Sequence, residues 1–303
     1  KNKIILSNQS KLFLNESNNI DLINDRELNL NNKKIALIKN QSNNKHPLLH
    51  LVFAPKNLEY LKIHEDCFSF NISVFDDMKN LTTIEYMKGS TNSVINFPNY
   101  NHLFNNLKHI KIYGDFAFIE EKVFHDFESL ETVEFGNSTN ILFIPKFAFL
   151  RCKNLQKIVI PSSCISIEEG SFKDCINLCS VEFKENSKIR LIGKSSFYNC
   201  SSLESILIPS SINSICSNSF MNCTKLTKVE FETKENPQNQ EWLKIIEKNA
   251  FKNCSSLLSF ILPKTCVELG AAVFMNCISL EKFEYEGTEL KSIPCRSFYN
   301  CSS

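Results

Sequence analysis

The sequence predicts a solenoid of stacked coils, and three observations predict it. A phenylalanine returns every 23 to 31 residues through the second half of the 303-residue chain, with cysteine three residues later and leucine six later. Phe149-x-x-Cys152-x-x-Leu155 is followed by copies starting at Phe172, Phe197, Phe220, Phe251 and Phe274, and a last one stops at Phe298-x-x-Cys301. Second, each unit repeats one set of apolar positions: Leu203, Ile206, Ile208, Ile212 and Ile215 in one, and Leu178, Val181, Phe183, Ile189 and Ile192 in the one before. Third, so short a unit cannot hide that set by itself, whereas stacked units can.

Each element of the coil follows from its pattern. Leu203-x-x-Ile206-x-Ile208 alternates and reads as a short strand with those residues pointing inward. Ile212 and Ile215, three apart, fit a tight turn or a 3₁₀ segment on the return path. In the stack the Phe, Leu and Ile positions form continuous columns, each buried side chain contributing about 1.5–3 kcal/mol. Looser copies extend upstream, through Phe124, Phe127 and Leu130, through Phe75, Met78 and Leu81, and through Val52, Pro55 and Leu58. Residues 1–46 resist the pattern and read as an N-terminal cap or degenerate repeats. The array then spans 47–303, degenerate over 47–148, regular over 149–303 and truncated in its last repeat.

The motif Phe-x-x-Cys-x-x-Leu-x-x-Ile-x-Ile-Pro-Ser-Ser, with Pro-Ser-Ser at 161–163 and 209–211 and Ala-Phe at 148–149 and 250–251, resembles the BspA-type (Treponema-type) leucine-rich repeat. Residues 149–301 match it well and 52–148 more loosely. The resemblance implies a leucine-rich-repeat solenoid, a horseshoe or curved rod. Short parallel β-strands would line its concave face, with turns and 3₁₀ segments on the convex face. It also implies a habit of microbial and protozoan cell surfaces and of adhesion. The chain departs from the family in two ways. The Ile-Gly before the Ala-Phe survives only at Ile192-Gly193 and Leu269-Gly270, and the unit starting at Phe220 is too long.

Thirteen cysteines would ordinarily suggest a disulfide scaffold, but seven share one repeat position that Met78 and Phe127 fill elsewhere. That makes it a buried apolar slot, where free cysteine behaves as a small hydrophobe. Stacked Cβ vectors run parallel and do not converge for bridging, so a ladder of reduced thiols is expected. Cys164 and Cys266 occupy the slot of Ile212 and belong to the core too. Zinc is not expected: there is no paired Cys-x-x-Cys, and all six histidines lie in the first 125 residues. Ten Asn-x-Ser/Thr sequons occur, among them Asn137-Ser-Thr139 and four of the form Asn-Cys-Ser/Thr inside the repeat. They read either as glycan acceptors of a secreted chain or as the chance product of an Asn- and Ser-rich sequence.

A net charge of +1 selects neither nucleic acid nor an anionic membrane as partner. No run of 18 apolar residues offers a membrane span. The chain starts at Lys1 without a signal-like segment and stops in mid-repeat at Ser303. This reads as a processed chain or a fragment whose targeting signal or anchor lies beyond its ends. No nucleophile constellation is visible, and Gly193-Lys194-Ser195 lacks the upstream glycine of a phosphate-binding loop. Catalytic residues, metal ligands and cofactors are therefore not expected, and the charge run Glu232 to Glu241 reads as a wet loop.

The face that remains is the outer side of the strands. The fourth residue after the leucine is Glu134, Val159, Glu182, Leu207, Glu230, Ile261 and Glu284 in successive coils, a two-coil alternation. Coils with Glu continue into an aromatic, and coils with an aliphatic residue continue into Ile or Leu and then Pro161, Pro209 or Pro263. Glutamates on neighbouring strands would repel, and an aliphatic between them doubles their separation to about 10 Å. Two residues earlier stand Lys157, Lys228 and Lys282, with Ser180, Ser205 and Ser259 between. Exposed aliphatics rimmed by charge suggest a contact surface; an alternation that only keeps the sheet soluble would look the same. The insertion that ends at Trp242 should form an edge loop, and tryptophan is enriched in binding hot spots. These residues predict a non-catalytic binding domain, by resemblance a cell-surface or secreted, adhesin-like or host-interaction protein that takes a protein or glycan partner on its concave face. The alternative is a cytoplasmic scaffold or the sensing portion of a larger signalling protein.

Overall fold

The computed structural model describes residues 104–301 except 115–117, 137–138 and 234–242; upstream it describes the backbones of the strands together with residues 59–61 and 79–86. The chain is a parallel β-solenoid of stacked coils with little helix. One main sheet of seven strands runs in the order Lys3–Ile5, Tyr60–Ile63, Thr83–Tyr86, His109–Ile112, Thr132–Phe135, Lys157–Ile160 and Ser180–Phe183. Beside its last strand begins a four-stranded sheet, Ser205–Ile208, Lys228–Phe231, Ser259–Leu262 and Lys282–Tyr285. Near the N-terminus the chain departs from parallel pairing, and Ala36–Asn40 runs antiparallel to Leu48–Phe53.

The four-residue strands form where the sequence alternates. Thr132–Phe135 and Ser205–Ile208 each read exposed, buried, exposed, buried, the signature of a sheet with one dry face. The return path keeps the expected tight turn at Ile212, whose N donates to Pro209 O at 3.1 Å, but not at Ile215. Ile215 belongs to a second parallel sheet of two-residue strands: Phe143–Ile144, Ser166–Ile167, Leu191–Ile192, Ser214–Ile215, Ile245–Ile246 and Glu268–Leu269. The reason is hydrogen bonding. A 3₁₀ turn closes its bonds within one coil, whereas here the backbone reaches its neighbour, as Asn213 N donates to Arg190 O at 2.8 Å and Cys216 N to Ile192 O at 2.8 Å.

Between the second sheet and the leucine lies a run of turns that carries the phenylalanine. Two residues of nearly every coil are left-handed there, two before and two after the Phe. Asn218 and Asn222 flank Phe220 with φ of 58° and 67°, and Asn249 and Asn253 flank Phe251 with 56° and 62°. Asparagine tolerates this region better than other residues with a Cβ, which accounts for Phe-x-Asn-Cys as the commonest form of the motif. The turns send the Phe ring into the interior. The rings of Phe149, Phe172, Phe197, Phe220 and Phe251 stack with centroids 5.2 to 5.3 Å apart and planes within 8° of parallel. All five are fully buried, and such pairs add about 0.5–1.5 kcal/mol each beyond area burial.

The twelve described cysteines are free thiols, and Cys152, Cys175, Cys200, Cys223, Cys254 and Cys277 are buried. Each of these donates its Sγ–H to the carbonyl of the Phe one coil earlier, at 3.1 to 3.3 Å. A valine at this position would fill the space and leave that buried carbonyl without the thiol donor. Burial pushes Cys223 and Cys277 up to about 12, and Cys164, in the Ile212 slot, is likewise buried and pushed up to about 12.

The two-coil alternation has a structural counterpart. Strands carrying Val159, Leu207 and Ile261 register over all four residues with the following strands of Glu182, Glu230 and Glu284. The junctions between these pairs are looser. Glu134's strand meets Val159's over two residues, Glu230's meets Ile261's over one, and the sheet is interrupted between Ser180–Phe183 and Ser205–Ile208. Proline removes one bond at each of them. After other strands the next residue donates its N–H to the preceding coil, as Lys184 N does to Ile160 O at 3.1 Å and Glu232 N to Ile208 O at 2.8 Å. Pro161, Pro209 and Pro263 occupy that position after the aliphatic strands and have no N–H to give. The carbonyl of Phe135, which Pro161 cannot serve, instead accepts from Lys184 Nζ at 3.2 Å.

A candidate binding face on the four-residue strands

The seven-stranded sheet and the four-stranded sheet beside it hold their outward side chains one strand apart, and pairing fixes who stands opposite whom. Glu134 pairs in register with Lys111, Val159 with Glu182, Leu207 with Glu230 and Ile261 with Glu284. Leu207 and Ile261 are open to solvent, 54% and 58% exposed, while Val159 is half-buried. Glu134, Glu182 and Glu230 are exposed and Glu284 is half-buried.

The lysines named with them do not stand free. Lys157 Nζ lies 2.6 Å from Glu182 Oε1 across the strands, Lys228 lies 2.8 Å from Glu230 Oε1 within its own strand, and Lys282 lies 2.7 Å from Glu284 Oε1. Ser180 Oγ adds a bond of 3.2 Å to the same Glu182 oxygen. The Lys157 ammonium holds the Glu182 carboxyl below the ordinary carboxylate range. Exposed pairs of this kind are worth about 0–1 kcal/mol in stability. Their larger effect is on the face, which they convert from an acidic row into aliphatic side chains separated by neutralised pairs.

The column runs further upstream than the sequence reading took it. The same count of four past the leucine gives Lys62, Glu85 and Lys111, and backbone register places Lys62 opposite Glu85 and Lys111 opposite Glu85 and Glu134. There lysine takes the place of the aliphatic residue: Lys111 Nζ is 3.9 Å from Glu134 Oε2. Tyr113 donates to Glu134 Oε1 at 2.7 Å, and burial followed by that bond pushes its phenol up to about 12. The aliphatic stretch therefore begins at Val159. Applying the leucine count to the weaker repeats would have shown this boundary in the sequence.

Trp242 lies outside the described residues, as does Asn137. The charge run before Trp242 is not wet at its start. Glu232 is half-buried, and its Oε2 accepts from Ser210 N at 3.0 Å and Ser210 Oγ at 2.9 Å, because the Pro-Ser-Ser turn of the preceding coil needs an acceptor. Glu247 serves Ser217 in the same way, at 2.9 Å to the amide and 2.6 Å to the hydroxyl.

The Asn-Cys-Ser/Thr sequons have a structural role that sequence counting missed. Their asparagines are the left-handed residues after Phe, and their side chains link successive coils. Asn199 Nδ2 donates to Asp174 Oδ1 at 2.9 Å, Asn253 to Asn222 at 2.7 Å, Asn276 to Asn253 at 2.8 Å and Asn300 to Asn276 at 3.2 Å. Where the column holds Arg151 instead, its guanidinium grips Asp126 of the coil before, and that bond holds the Asp126 carboxyl below its usual range. Among the described residues no three His, Cys, Asp or Glu side chains converge as metal ligands, and no helix is long and apolar enough to cross a membrane.

The family model of the BspA type leucine rich repeat region matches the chain in six copies, over residues 49–143, 142–240 and 235–303. No curated protein matches it. Among solved structures, a leucine rich cell surface protein from Faecalibacterium prausnitzii is similar with 19% identity and a TM-score of 0.51, over 88% of this chain and 78% of that one. A leucine rich repeat protein from T. pallidum is also 19% identical, with a TM-score of 0.44 over 77% of this chain and 82% of that one. At these identities the likeness is one of fold. With the family's repeat covering the chain from residue 49 to its last residue and the stacked parallel coils that the repeat requires, this protein belongs to the BspA-type leucine-rich repeat family.

Proposed function

We propose that the chain is a non-catalytic binding domain that takes a protein partner on the open face of its four-residue strands. Leucine-rich-repeat domains generally bind protein partners. One observation carries the more specific reading: Leu207 and Ile261 stand exposed on a rigid sheet whose charged neighbours are already paired with one another. Removing two exposed aliphatics from water is favourable, and the paired charges around them form the polar rim of such a contact. A glycan is the weaker candidate, because sugar rings stack best on flat aromatic side chains and this column offers Val159, Leu207 and Ile261. We read residues 1–46 as an N-terminal cap or degenerate repeats ahead of the array of 47–303, and Trp242 as an edge contact beside the face.

By likeness to its family the domain is adhesin-like and works at the cell surface or in host interaction. A second reading, an intracellular scaffold, is favoured by the free buried thiols, which a reducing compartment would preserve. Glycopeptide mass spectrometry of native material separates the two: a glycan on any sequon excludes cytosolic residence. The binding role is tested with Leu207→Lys. The substitution adds a charge where the side chain already meets water, so the melting temperature should stay within about 2 °C while partner capture from candidate host matrix is lost. Unchanged capture would move the site to another surface.

A further inference from the structure

The seven-stranded and four-stranded sheets meet at a junction whose strand side is unbonded. Among the described residues no backbone hydrogen bond joins Ser180–Phe183 to Ser205–Ile208. In the other coils from Glu131 to Glu281, the residue after the leucine donates its N–H to its counterpart one coil back. Cys179 N does so to Gln156 O and Thr227 N to Glu204 O, both at 2.9 Å. Glu204 N makes no such bond, and Ser202 N turns to Ile176 O at 3.1 Å. Pro209 ends the strand without an N–H to give. The ion pairs of the face stop short as well: Lys157–Glu182 lies before the junction and Lys228–Glu230 after it.

The opposite side of the same two coils is held throughout. Leu191–Ile192 pairs with Ser214–Ile215, and Ser211 Oγ donates to Ile189 O at 2.7 Å. In the turns Phe172 N donates to Ser196 O and Asp174 N to Tyr198 O, both at 2.8 Å. The rings of Phe172 and Phe197 stack 5.3 Å apart with planes 4° from parallel. Two coils held along one edge and free along the other turn about the held edge. Backbone N–H and C=O groups away from water are nearly always paired. Those facing the gap take water when it opens and one another when it closes, so neither position leaves them orphaned. Val181 and Ile206 are buried behind the gap, and the cost of wetting them limits the swing.

We propose that this junction is a hinge, with the second sheet and the phenylalanine turns as its axis. It divides the open face into two plates. One ends with Val159 and Glu182, and the other carries Leu207, Glu230, Ile261 and Glu284. The curvature of the face is adjustable at this one place, by a change spread over the few residues that cross the gap. The hinge is a property of the coils and does not rest on the reading of the face as a binding surface.

The test is double electron–electron resonance on the full chain. The nitroxides are carried by a ketone-bearing noncanonical amino acid, so that the native thiols stay unlabelled. Three pairs of positions are compared, each three coils apart. Glu134 and Leu207 span the junction on the strand side, and Leu207 and Glu284 lie beyond it on the same side. Leu142 and Asn213, both exposed, span it on the axis side. The first pair should give a distance distribution about twofold wider than either of the others. Equal widths for the two strand-side pairs overturn the hinge, and a Leu142–Asn213 distribution as wide as the first overturns its axis. Residue-resolved amide exchange is the second measurement. Ser180 N donates to Gln156 O in the coil before, so the alternation of the strand turns the N–H groups of Val181 and Phe183 toward the gap. They should exchange about tenfold faster than those of Ser180 and Glu182. Equal protection of all four amides would mean that the ladder is closed in solution, and the hinge would fall.

Discussion

Alkali should unfold this protein through its thiols, and the size of the effect can be worked from the structure. Burial raises Cys164, Cys223 and Cys277 from 9.0 to about 12. A thiol whose folded value lies above its unfolded one adds stability that is intact below pH 9 and drains away as pH climbs toward 12. The unfolded chain loses its proton first, so between those limits each thiol costs about 1.4 kcal/mol per pH unit. At pH 11 these three together remove about 8 kcal/mol, comparable with the whole stability of an ordinary domain. Circular-dichroism denaturation curves from pH 7 to 11 should therefore show a steep loss above pH 9. Cys223→Ala should start less stable and lose less per pH unit, a difference that titration of lysine and tyrosine cannot produce. If the thiolate absorbance of the folded protein at pH 9.5 is larger than that of folded Cys223→Ala, the argument is refuted, because the difference would show Cys223 ionising in place.

Three further outcomes follow from the coil. Phe197 is stacked at 5.3 Å on both Phe172 and Phe220 and is fully buried, so Phe197→Ala should cost about 3–5 kcal/mol in urea denaturation; wild-type melting would remove the core assignment. Asn253 both donates to Asn222 and accepts from Asn276, so Asn253→Asp should destabilise by about 1–3 kcal/mol. Asn253→Gly, which keeps the left-handed turn, should be milder, and equal losses would mean that the side-chain column contributes nothing. Pro209→Ala restores an N–H beside the Phe183 carbonyl at the interrupted junction, and hydrogen exchange should find a protected amide at position 209; free exchange there would mean that something other than proline opens the sheet.

How much of this was legible in the residues depends on the range of the force involved. The inward columns were legible, because burial leaves a periodic apolar trace: Phe149 to Phe298, Leu155 to Leu280 and the cysteines between. The outward alternation of Glu134 through Glu284 was legible because those positions fall at a fixed count from the buried leucine of each coil. The second sheet was not, since Ile212 and Ile215 at a spacing of three suit one tight turn, whereas Ile212 closes a turn on Pro209 and Ile215 joins a strand only because the neighbouring coil offers its carbonyls. The asparagines of Phe-x-Asn-Cys read as glycan acceptors or as chance sequons, and their structural role was not legible, because a sequence shows neither a φ of about 60° nor a partner one coil away.

The sequence by itself determined that the chain coils, which side chains go inside, and that two coils make the true repeat, because apolar burial and charge spacing act within a few neighbouring positions. Tertiary structure alone decided that the junctions before the proline-ended strands pair incompletely, that each lysine of the face is spent on a glutamate, and that Val159 is half-buried while Leu207 and Ile261 stand open. Those depend on hydrogen bonds and contacts between coils some two dozen residues apart, and such pairings exist only once the coils have stacked.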